Sequence, residues 1–203
     1  MSITEVFSFI LASIILAFSP GPDNLFVVVT SLSQGFKTAF RFILGLCSGV
    51  ILHTALIALG ISTLVSQSTY GLLVLKYFAI IYLLYLAFMT FQHRKDKIQF
   101  DEQIPVENYF LRGFIMNVSN PKVLMFFLAF FPQFADMGRE GFQARIILLG
   151  FLFILVTLVV FSTMAWFSAK WSKKFLANSK YTLFINWLAI IVFIGVSLLL
   201  FLS

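Results

Sequence analysis

Two ionisable side chains, Asp23 and Lys122, stand inside long apolar runs, each beside a proline-containing break: Ser19-Pro-Gly-Pro-Asp-Asn24 and Asn117-Val-Ser-Asn-Pro-Lys122. A charge at membrane depth is costly unless it faces a cavity or a partner. At the second break Asn120 suits the N-cap of a new helix and Pro121 its first turn, leaving free amides that attract an anion, an effect Lys122 reinforces. At the first, Pro20, Gly21 and Pro22 interrupt the helix and free carbonyls, Asp23 supplies a carboxylate, and Asn24 adds an amide. Together the two breaks complement a zwitterion, its carboxylate at Lys122 and the Asn120 helix end, its ammonium at Asp23. The competing reading of the same residues is an ion pair that only ties two parts of the chain together. Asp23 is the one acid of the eight inside an apolar span, which makes it the candidate carrier for a coupled proton.

Gly45, Gly49 and His53 recur every four residues, so they share one face of a helix along which a neighbour approaches closely. His53 on that face is either a proton relay or a histidine bonded to the adjoining helix. The lone Cys47 excludes an intramolecular disulfide, and a metal-cation cargo would want more ligands than Asp23, His53 and Cys47. No nucleophile, base and orienting group fall together as an enzyme requires, and no cofactor is expected. A purely structural membrane scaffold leaves two matched breaks of opposite charge without a reason.

The elements that position these residues are set by the solvent the composition demands. Of 203 residues 61% are hydrophobic and 11% charged, with mean hydropathy +1.01, against about a quarter charged in soluble domains. The fold expected is all-α and integral to a membrane. A bilayer-crossing helix takes about 20 apolar residues, and runs at 42–65, 72–91, 110–134, 146–168 and 183–202 qualify, with a sixth, 5–33, interrupted at the first break. The first apolar run is expected to be retained, because Met1 to Glu5 lack the basic start of a signal peptide. The net charge of +6 lies in short segments between the runs rather than in a nucleic-acid footprint. Lys37, Arg41, Arg94, Lys95, Lys97, Arg112, Lys170, Lys173, Lys174 and Lys180 fall on one face, against Lys76, Arg139 and Arg145 on the other. The positive-inside rule then places both termini outside.

Gly35-Phe-Lys-Thr-Ala-Phe-Arg-Phe-Ile-Leu-Gly45 after the first break resembles Gly141-Phe-Gln-Ala-Arg-Ile-Ile-Leu-Leu-Gly150 after the second, and Ala79-Ile-Ile81 recurs as Ala189-Ile-Ile191. The common order predicts two three-helix repeats, 1–91 and 110–203, joined by a cytoplasmic linker at 92–109; a repeat of three spans must insert upside down. Six transmembrane helices with the first and fourth interrupted near the midplane are the plan of a secondary transporter. Pro132-Gln133-Phe134 is expected to end the fourth span.

The chain resembles the LysE/RhtB family of bacterial amino acid exporters over nearly its whole length. The resemblance rests on Pro20-Gly-Pro-Asp-Asn24, on Gly35 with Gly45, Gly49, His53 and Gly60 after it, and on Asn120-Pro-Lys122 with Pro132-Gln-Phe134. It departs at Ala39, where the family often has glycine, and at Phe78, near a position commonly small. The resemblance implies export of amino acids or close derivatives from the cytoplasm, coupled to protons, across a bacterial inner membrane. The absence of further intramembrane acids leans towards a neutral substrate. A homo-oligomer is left open.

Overall fold

The computed structural model describes residues 1–19, 21–65, 71–92, 94, 108–129, 131–135 and 141–170, together with 183, 186–187, 190–191, 193–195, 197–198 and 201. Every element among the described residues is helical. The helices are α1 (Ile3–Phe18), α2 (Pro22–Gln34), α3 (Phe36–Val65), α4 (Gly71–Gln92), α5 (Tyr109–Val118), α6 (Pro121–Ala129), α7 (Phe131–Ala135) and α8 (Phe142–Lys170). The described positions from 183 to 201 are helical as well. Pro20, most of the 92–109 linker and the side chains of Gly60, Pro132 and Gln133 lie outside the described residues.

Local chemistry sets the ends of these helices. Ser2 caps α1, its hydroxyl accepting from the Glu5 amide while the Glu5 carboxylate accepts from the Ser2 amide. α1 stops at Phe18, and after Gly21 the chain restarts with Pro22 in the first position of α2, where a missing N–H is harmless. The axes of α1 and α2 differ by 62°. α5 and α6 are parted the same way, with Pro121 opening α6. Gly35 has φ +82° and Gly141 φ +81°, a region that favours glycine, and each leads directly into a long helix, α3 or α8. Pro132, Gln133 and Phe134 are helical, within α7.

α3 is the hub, packed against α2, α5 and α8. Its seam with α5 is made by glycine on both sides. A Cβ on Gly45 would collide with the Phe110 carbonyl, and one on Gly113 with the Phe42 carbonyl. Between helices in lipid the hydrophobic effect is weak, so such backbone approach is what gives packing its strength. Two apolar clusters form the core. One gathers Phe9, Leu16, Phe126, Phe127, Phe131 and Phe153; the other holds Val27, Phe42, Leu46, Val160 and Phe161. Outward, Leu44, Ile51, Leu56 and Leu59 of α3 and Ile147, Phe151, Leu155 and Val159 of α8 are exposed. Faces this apolar want hydrocarbon as solvent.

Candidate functional site

The two breaks meet where the two apolar clusters adjoin. Lys122, second residue of α6, extends its ammonium across to the first break, where Nζ donates to the Ser19 carbonyl at 3.0 Å, Asp23 Oδ1 at 3.1 Å and Asn24 Oδ1 at 3.2 Å. An ammonium has three protons and each finds an acceptor. The Lys122 and Asp23 side chains are 5% and 4% exposed, so this is a buried ion pair.

Helix ends explain why the charges sit as they do. Asp23 is the second residue of α2, where the positive end of the helix favours a carboxylate. Lys122 holds the same position in α6, where a cation is disfavoured, and it is stabilised by reaching the carbonyl at the C-terminus of α1 as well as the two side chains. Asn120 Oδ1 accepts from the Lys122 amide at 3.0 Å and starts α6. Asn24 is held from its other side, Nδ2 donating to the Ala17 carbonyl at 2.6 Å. Gly21 leaves room for the pair: a Cβ there would lie 2.6 Å from Asp23 Oδ1 and 2.9 Å from Lys122 Nζ.

Beside the pair is a cavity of about 10 Å³, lined by Leu16, Ala17, Asp23, Asn117, Lys122, Val123, Phe153, Thr157 and Phe161. Its walls come from both apolar clusters and its polar groups from both breaks and from α8. Five buried polar atoms have no hydrogen-bond partner among the described residues: Ser19 Oγ, Asn117 Oδ1, Asn120 Nδ2, Thr157 Oγ1 and Ser162 Oγ. Buried polar atoms are ordinarily paired. Four of these five belong to the breaks or line the cavity.

The structure thus brings Asp23, Asn24, Asn120, Lys122, Gly21, Pro22 and Pro121 to one place. His53 lies apart from the ion pair, its Nε2 3.4 Å from the Asn117 carbonyl and its ring 5.3 Å from that of Phe127. Gly49 is pressed on the Asn117 side chain, with Oδ1 2.5 Å from where a Cβ would be. Sequence reasoning did not single out the Ser19 carbonyl or Thr157.

Helices broken at a buried, charged site inside a bundle with apolar outer faces are the architecture of a membrane translocator. The chain belongs to the LysE type translocator family, which matches residues 14–203. It is 30% identical to the homoserine/homoserine lactone efflux protein of Salmonella typhimurium, over 82% of this chain and 83% of that one. It is 31% identical to an uncharacterised membrane protein of Pseudomonas aeruginosa over 68% and 67% of the two chains. A third relative, the uncharacterised membrane protein YrhP of Bacillus subtilis, is 28% identical over 80% and 81%. No solved structure matches the chain.

Proposed function

We propose that this protein exports a small neutral amino acid or close derivative from the bacterial cytoplasm by proton antiport, binding it as a zwitterion between the two helix breaks. The observation that carries the reading is the Asp23–Lys122 pair at 3.1 Å, buried and contributed by two separate breaks. Substrate enters by parting the pair. Its carboxylate takes Lys122 and the start of α6; its ammonium takes the three oxygens of Ser19, Asp23 and Asn24 that Lys122 otherwise occupies. Asp23 binds Lys122, a proton or the substrate ammonium, one at a time. Exclusive occupancy of one carboxylate is what converts two leaks into an exchange.

The relatives' name makes homoserine and its lactone the first substrates to try. Six spans in two inverted repeats, an inner-membrane location and termini outside complete the proposal. In support of the repeats, the paired glycines Gly35 and Gly141 share one backbone conformation, and Asp23 and Lys122 share one helical position.

The test is efflux from proteoliposomes loaded with homoserine and a mixture of other amino acids, with and without an imposed pH gradient, for the native protein, Asp23→Asn and Lys122→Gln. Gradient-dependent loss of one or a few amino acids, abolished in both folded variants, is expected. Normal transport by both variants would reduce the pair to a structural tie, and Asp23→Asn with its full pH-gradient dependence intact would remove Asp23 as the proton carrier.

A further inference from the structure

Hydroxyls inside helices ordinarily bond to the carbonyl one turn back, and Thr54, Thr90 and Thr163 do so at 2.8, 2.7 and 2.7 Å. Among the described residues Thr157 Oγ1 has no such partner, although the residue is 3% exposed. Across the same cavity Asn117, also 3% exposed, leaves its Oδ1 unpaired among the described residues. Buried oxygens ordinarily have partners, and two that lack one among the described residues face the same small cavity.

The remaining lining away from the ion pair is apolar, from Leu16, Ala17, Val123, Phe153 and Phe161. The cavity has about the volume of one water while the ion pair is closed; parting the pair to admit a zwitterion enlarges it, and the side chain is then directed at these walls.

We infer that Asn117 and Thr157 are specificity-determining residues that read a side-chain hydroxyl on a short aliphatic amino acid. The hydroxyl donates to the Asn117 amide oxygen and accepts from Thr157 Oγ1–H, while the apolar walls enclose its methylenes. A site with hydrogen-bonding groups set for a hydroxyl rejects the analogue that lacks it, because those groups stay unpaired when the analogue binds. The inference rests on the exporter reading above and adds to it which residues choose the cargo.

Homoserine and 2-aminobutyrate differ only by the terminal hydroxyl, so the ratio of their transport efficiencies isolates this contact. In reconstituted vesicles the native protein is expected to prefer homoserine, Thr157→Val to lower that preference about tenfold, and Thr157→Ser to restore it. Asn117→Leu should lower it in the same direction. Valine replaces an unpaired hydroxyl by a methyl of equal size, so folding should survive; Thr157→Ala serves if the valine variant does not purify as a folded species. A ratio unchanged by Thr157→Val, or equal slowing of both substrates, assigns the hydroxyl a structural part and overturns this inference while leaving export intact. A native protein that moves both equally does the same. Movement of no amino acid at all defeats the exporter reading, and this one with it.

Discussion

A lysine surrounded by three oxygens is stable only while all three remain. Removing either charge leaves the other buried and unpaired, at a cost of about 3–5 kcal/mol, whereas replacing both together is often nearly neutral. Asp23→Asn and Lys122→Met should therefore each lower the thermal unfolding temperature in detergent, and the double variant should recover most of the loss without recovering transport. A double variant as unstable as the worse single one would mean that Ser19 and Asn24, and not the Asp23 charge, hold the ammonium. At this scale the charged pair was legible in the sequence because a charge in an apolar run admits few explanations. Thr157 was not, since a helical hydroxyl is normally satisfied by its own backbone and nothing local marks the one that is not. The Ser19 carbonyl carries no sequence signal at all, because every residue has one and only the placement of α6 gives it a partner.

Helices here are separated by turns chosen for backbone conformation and joined by seams chosen for close approach. The two uses of glycine differ in what a methyl group would do. At Gly35 and Gly141 there is open space but a positive φ, so alanine would strain the backbone. At Gly45 the conformation is helical and the obstacle is the Phe110 carbonyl of α5. Gly45→Ala is expected to push α3 from α5 and cost about 1–3 kcal/mol, read as a drop in unfolding temperature. Gly195, where a Cβ would meet nothing within 4 Å among the described residues, should accept alanine with no such drop; equal effects at both would sink the packing account. Both breaks could be read from proline and glycine, and the four-residue spacing of Gly45, Gly49 and His53 marked the α3 face turned to α5.

Over the whole molecule, orientation is governed by which loops hold Lys and Arg, a property of segments outside the packed core. The six-span proposal puts Ser2 and Gln67 on the outer side and Glu102 on the inner, with the ten positive residues of the inner segments held near anionic head groups. Cys47 is the lone cysteine, so a Cys47→Ser background gives a chain without thiols. In that background, cysteines placed singly at Ser2 and Gln67 should react with a membrane-impermeant maleimide in intact spheroplasts, and one at Glu102 only after permeabilisation. The first broken helix is the element at stake. If α1 and α2 cross the membrane as one bent span, Ser2 and Gln67 share a side; if they enter and leave as a re-entrant pair, Ser2 and Gln67 label from opposite sides. Labelling of all three positions from one side would fit neither arrangement. The bent span is the arrangement an inverted repeat needs. In the proposed repeat, three crossings per half reverse the second half in the membrane, so that Asp23 and Lys122, alike in helical position, approach one another from opposite directions.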